Sequence, residues 1–201
     1  MKDITHAQHI SKAEINRLPM RKYEGPIHVM RTAGAAKDAA ATLSNESLLG
    51  FDTETRSAFR VGESYRPSIL QLAGSEEVFL FQIELTGLIP ELREILSDPK
   101  VIKSGVAIRD DVNQLRQLAA FKPAGFVDLA ECAKRSKIKN LGLRGLGALL
   151  LGFRISKGEQ VSNWAKRDLT PSQIAYAATD AWVGREIYLQ MERRGLPLKA
   201  T

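Results

Sequence analysis

Leu48-Leu49-Gly50-Phe51-Asp52-Thr53-Glu54-Thr55 is an apolar run that ends in two acids one residue apart. On a strand, side chains at i and i+2 share a face, so Asp52 and Glu54 project together, about 7 Å apart along the chain. Carboxylates held that close repel each other unless one takes up a proton or a cation sits between them. Hard oxygen donors of this kind suit Mg²⁺ or Mn²⁺. The plainer alternative is a strand that runs into an acidic, solvated turn. Acids arriving from other parts of the chain decide between the two.

The 201 residues, 44% hydrophobic and 26% charged, are enough for one well-buried core. They predict a single domain over 26–201, preceded by a polar, mildly basic extension over 1–25 that packs loosely or frays. No apolar run approaches the ~18 residues of a membrane span, and MKDITHAQHISK lacks the apolar centre of a signal peptide. A cytoplasmic protein without membrane partners is expected. One cysteine, Cys132, leaves no internal disulfide and no cysteine-based zinc site, and serves as core filler. His6, His9 and His28 all precede the acidic stretch, which argues against a histidine base or a histidine-rich metal site. A net charge of +6 permits a polyanionic partner.

Working outward, residues 27–31 read as a strand and the alanine-rich 33–43 as a helix. Beyond the acids, 56–66 forms a loop with three arginines and two aromatics. Residues 68–73 and 78–83 are short strands joined by hairpin chemistry, so the first half reads as an antiparallel meander. Helical spacing over 88–96 ends before Asp98-Pro99. A strand at 101–105, a helix at 107–118, a strand at 126–127 and helices at 129–135 and 141–151 follow. Gly142, Gly145 and Gly147 fail the dinucleotide-loop pattern, because position 150 is leucine, and read as close helix packing. Thr170 and Pro171 open the longest helix, which runs to about Arg194 and stops at Gly195-Leu196-Pro197.

Two further acids have the right placement. Asp111 lies three residues after Ile108 and four before Leu115, on or beside the apolar stripe of its helix, while Asp110 points to water. Tyr176 and Asp180 are four apart on the last helix, among Ala175, Ala177, Ala178 and Ala181, which let another element come close. A buried acid needs a partner, either a cation at a shared site or an arginine of the core.

FDTET, KSGVAIRDD and YAATD resemble the three motifs of the DEDD superfamily of exonucleases, in the subgroup whose third motif is Tyr-x-x-x-Asp. The likeness is greatest to Werner-type exonuclease domains and more distant to ribonuclease D. It covers residues 27–191, including SNWAKRDLTPSQIAYAATDA. The resemblance implies an α/β, ribonuclease H-like fold, with a mixed central sheet of about five strands and helices on both faces. It places Asp52, Glu54, Asp111 and Asp180 as ligands of two divalent cations, Mg²⁺ or Mn²⁺, and leaves Asp110 outside the site. It also gives Tyr176 the task of orienting the attacking water, the alternative being an interior aromatic with a satisfied hydroxyl. With an ordinary pKa near 10, the phenol suits positioning better than proton abstraction.

The activity implied is 3′-to-5′ removal of nucleoside 5′-monophosphates from single-stranded or recessed 3′ ends. DNA is preferred, and RNA cleavage of the ribonuclease D type or a non-catalytic nucleic-acid-binding module are the alternatives. A chain that stops just after the last helix is expected to lack the helicase of Werner-type proteins and the accessory RNA-binding domains of ribonuclease D, so the resemblance does not carry over any processivity or substrate choice those modules confer. For substrate contacts the candidates are Thr55, Phe59, Arg60, Lys103, Asn163 and Trp164. A basic, aromatic loop beyond the metal strand suits a phosphate backbone and a stacked base. Phe59 matches a phenylalanine of Werner-type domains. Lys103 reads as steadying the acids or a phosphate. Trp164 reads equally as a base-stacking platform or as packing for its loop.

Overall fold

Apolar residues on both faces of the acid-bearing strand need cover on both faces, and the computed structural model supplies it. Residues 8–56 and 65–199 are described. Among them run strands β1 (Ile27–Met30), β2 (Leu48–Thr55), β3 (Pro67–Ala73), β4 (Val78–Gln82), β5 (Ile102–Gly105) and β6 (Phe126–Asp128). The helices are α1 (Lys12–Arg17), α2 (Ala33–Leu43), α3 (Ile83–Thr86), α4 (Pro90–Ser97), α5 (Arg109–Leu118), α6 (Leu129–Arg135), α7 (Leu143–Leu151) and α8 (Pro171–Arg193).

The strands form one sheet in the order β1-β4-β3-β2-β5-β6. Strands β2, β3 and β4 are the antiparallel meander expected, and β5 and β6 extend it in parallel from β2. The sheet has six strands rather than about five, because β1 pairs in parallel with β4 at the far edge. Side chains alternate between two cores. Leu49, Phe51, Leu70, Leu72, Phe79 and Phe81 pack with α2, α4 and α5. On the other face, Ile69, Ala73, Val78 and Leu80 meet Ala177, Ala178 and Ala181 of α8. With no solvent-facing side, β3 is buried along its whole length, which is why its sequence is mostly apolar, with only Ser68 and Gln71 polar.

One contact fixes where α8 lies. A Cβ placed on Gly50 would sit 2.0 Å from the carbonyl oxygen of Ala181. The backbones of β2 and α8 therefore touch two residues before Asp52 and one residue after Asp180. Gly50→Ala is expected to destabilise the fold by roughly 3 kcal/mol, because the obstructing atom is backbone and cannot swing away. Urea unfolding measures this, and an unchanged midpoint would contradict the contact. Of the glycines read as helix packing, only Gly147 does that, against Val183, while Gly142 is the N-cap of α7 and Gly145 meets Asn140.

Helix α5 starts two residues later than its spacing predicts, because Ala107 is in the left-handed region (φ 59) with its amide bonded to Asp128 Oδ1 at 3.0 Å. The segment before β1 is also tied down more firmly than expected. Ser11 and Glu14 form a capping box on α1. Ile10 exchanges two hydrogen bonds with the Asn140 side chain. The backbone of residues 19–21 pairs with Arg154, and Tyr23 N–H donates to Thr179 Oγ1. Residues 8–25 thus form a strap along α7 and α8.

Candidate active site

Strand β2 carries Asp52 and Glu54 on the face that α8 crosses, and α8 brings Tyr176 and Asp180 down to them. All four line one cavity of 630 Å³. Asp111, in the first turn of α5, joins from the other side of the strand, where it accepts a hydrogen bond from Thr53 Oγ1 at 2.5 Å. Asp110 beside it is exposed, as its helical position requires.

Burial and crowding act together on these acids. Burial, then the charges of Asp180 and Asp111, hold the Asp52 carboxyl well above its usual range, although the Thr53 amide donates to it at 2.9 Å. Glu54 is pushed up to about 9 by burial and by the charges of Asp52, Asp180 and Asp111. Burial raises Asp180 to about 7 against the pull of the Tyr176 hydroxyl, and raises Asp111 against its bond from Thr53. Asp180 Oδ1 is buried with no hydrogen-bond partner, so the alternative of a core acid satisfied by an arginine does not hold for that atom.

Among the described residues, no three acid, imidazole or thiol side chains form a ready-made cage as they stand. The donor chemistry nevertheless fits hard divalent cations. It consists of carboxylate oxygens from β2, α5 and α8, one of them buried and unpaired, whose mutual repulsion a cation would relieve.

Burial and the nearby charges of Asp180 and Glu54 raise the Tyr176 phenol further above its ordinary range, so it stays protonated. Trp164 lies against it, ring centroids 6.0 Å apart at 41°. Trp164 is fully buried, and base stacking is therefore excluded in favour of packing beneath the tyrosine. The expectation for Lys103 is corrected too. Its side chain is wholly buried, and its ammonium donates to the carbonyls of Ile95, Asp98 and Val101 at 2.7–2.9 Å. Burial lowers its pKa to about 8. It closes the turn between α4 and β5 and reaches no phosphate.

Thr55 follows a register shift at the end of β2. Asn163 is exposed and accepts from the Ala165 amide at 3.2 Å. Phe59 and Arg60 lie outside the described residues. Arg56 stacks over the Tyr65 ring at 4.9 Å. Sequence reading missed the wall facing the acids, where Lys12 of α1, Asn140, Arg144 of α7 and Lys157 line the same cavity. These residues share no spacing, and only the docking of the strap brings Lys12 there. A second cleft of 1120 Å³ adjoins the first, between residues 20–25 and α8, and shares Tyr176 and Asp180 with it.

A family model described as 3′-5′ exonuclease matches residues 27–195. The mouse bifunctional 3′-5′ exonuclease/ATP-dependent helicase WRN is 30% identical over 190 residues, covering 90% of this chain and 14% of that protein. Ribonuclease D of Gluconacetobacter diazotrophicus is 33% identical over 156 residues, 75% of this chain and 39% of its own length. The chain thus spans less than half of either relative. Among solved structures, the Aedes aegypti Nibbler EXO domain superposes with a TM-score of 0.76 at 24% identity, covering 87% of this chain and 90% of that one. The six-stranded mixed sheet with its helices is thus the α/β, ribonuclease H-like fold that the motifs imply.

Proposed function

The chain belongs to the 3′-5′ exonuclease domain family, and on that premise we propose that it is a metal-dependent 3′-to-5′ exonuclease of the tyrosine subgroup. It removes nucleoside 5′-monophosphates from single-stranded or recessed 3′ ends. The observation that carries this reading is the cavity in which Asp52, Glu54, Tyr176 and Asp180 meet, with Asp111 bonded to the residue between the two strand acids.

Asp52, Glu54, Asp111 and Asp180 would hold two divalent ions, Mg²⁺ or Mn²⁺. When bound, such ions supply Lewis acidity at the scissile phosphate and acidify water. The remaining work falls to the protein. Tyr176, kept protonated by its surroundings, orients the attacking water through its hydroxyl rather than removing its proton. Trp164 packs against that ring and limits its movement. A bond forms from water oxygen to phosphorus, and the bond from phosphorus to the 3′ oxygen of the preceding nucleotide breaks. That oxygen leaves with a proton as a new 3′ hydroxyl. Lys12, Arg144 and Lys157 on the facing wall suit the phosphates of the strand.

DNA is the first reading, on the Werner-type resemblance of the motifs, and likeness to ribonuclease D makes RNA the second. The test uses DNA and RNA oligonucleotides of one sequence, labelled at the 5′ or the 3′ end, in identical salt with Mn²⁺ or chelator. Stepwise shortening from the 3′ end that chelator stops, faster on DNA, is the expected result. Binding without cleavage would leave only a nucleic-acid-binding module.

A further inference from the structure

Gln71 interrupts the apolar run of β3 and is wholly buried. Neither its Oε1 nor its Nε2 has a hydrogen-bond partner. A primary amide carried into a core with both ends unbonded is costly, and such a group calls for an explanation.

Its place in the sheet supplies one. Asp52 and Gln71 stand directly opposite each other across β2 and β3. Paired residues project to the same face with Cβ atoms about 5 Å apart, within reach of a glutamine amide. The neighbours of Gln71 on that face, Ile69 and Ala73 along the strand and Leu80 across it, belong to one cluster with Ala177 and Ala181 of α8 and with Trp164. The Trp164 Nε1 is itself buried and without a partner. A carboxylate only accepts, an indole only donates, and a primary amide does both. Gln71 is therefore of the chemical type that can serve both neighbours, although in the structure as it stands it makes neither bond.

We propose that Gln71 is a positioning residue for the acidic site: when a cation holds Asp52 ionised, the Gln71 Nε2 donates to that carboxylate, and the Trp164 Nε1–H donates to the Gln71 Oε1 and fixes which way the amide faces. The proposal rests on the exonuclease reading of Asp52. It gives the buried tryptophan a polar task besides packing, and it links the loop before α8 to the strand that carries the acids. Partners that orient a ligating carboxylate typically change metal affinity by about 10–100-fold when removed.

The test is Mn²⁺ binding to the full chain, followed by paramagnetic resonance, alongside thermal melting in chelator and steady-state cleavage of a 5′-labelled oligonucleotide. Gln71→Leu is expected to weaken Mn²⁺ binding by roughly tenfold or more. Its KM for the oligonucleotide stays unchanged, and its metal-free melting temperature is unchanged or raised, because in the metal-free protein, as in the structure, the amide makes neither bond. Trp164→Phe acts in the same direction, and the double variant binds no more weakly than Gln71→Leu alone. Should the leucine fail to fold, Gln71→Met carries the same expectation with an unbranched side chain. Wild-type Mn²⁺ affinity in a folded Gln71 variant, while the parent protein binds Mn²⁺ and cleaves, would overturn the assignment and leave the exonuclease reading intact. A parent protein that takes up no Mn²⁺ would overturn both.

Discussion

Asp52→Asn is expected to abolish cleavage while leaving the protein folded and, in chelator, no less stable than the parent. Asn keeps the shape of the side chain and removes its charge. In the absence of cations that charge stands among Asp180, Asp111 and Glu54 in a buried place, so its loss relieves repulsion. In the working enzyme the same charge would hold a cation against the scissile phosphate. Removing it is expected to lower the rate by roughly three orders of magnitude or more, about 4 kcal/mol of transition-state stabilisation. Single-turnover cleavage and thermal melting on one preparation separate the two effects. Activity within tenfold of the parent protein would refute the metal assignment, whereas an unfolded variant would show Asp52 to be structural.

The second large effect is a dependence of stability on pH that added cations counteract. Glu54 rises from 4.5 to about 9 on folding, and Asp180 from 3.8 to about 7. Groups whose folded pKa lies above the unfolded one hold protons more tightly in the native state. Their contribution is complete below the unfolded values, and it is lost as pH rises through about 7 and then about 9. The metal-free protein therefore melts at progressively lower temperature from about pH 5 to about pH 9. Mg²⁺ binds the deprotonated acids, so its stabilising effect grows over the same interval. Melting curves in chelator and in excess Mg²⁺ across that range are the check. An equal Mg²⁺-induced rise at both ends would mean that these acids are not its ligands.

The sequence revealed most where a periodic pattern coincides with a chemical requirement. The acids of β2, the inward Asp111 and the Tyr176–Asp180 stack were all legible, because strand and helix periods dictate which side chains share a face. Strand pairing was less so. β1 joins β4 in parallel across an intervening helix and two other strands, and no local signal records that. Lys103 misled for a physical reason: a lysine beside an acidic motif suggests a phosphate contact, and only the fold shows three carbonyls converging on its ammonium. Trp164 was ambiguous in the same way, since burial is decided by α8 and the sheet together. Gln71 left one trace, a polar residue inside an apolar strand, but its meaning depends on the register that sets it opposite Asp52. The strap over 8–25 read as loose because the hydrogen bonds that dock it, as distinct from the local ones within α1 and its cap, are made to distant residues.

The central claim, that carboxylates from β2, α5 and α8 jointly hold cations, is tested most directly by counting bound Mn²⁺ in solution. Two ions per chain in the parent protein, with one or both lost in Asp180→Asn, is the predicted result. No bound Mn²⁺, or full occupancy and unchanged affinity in Asp180→Asn, would contradict it.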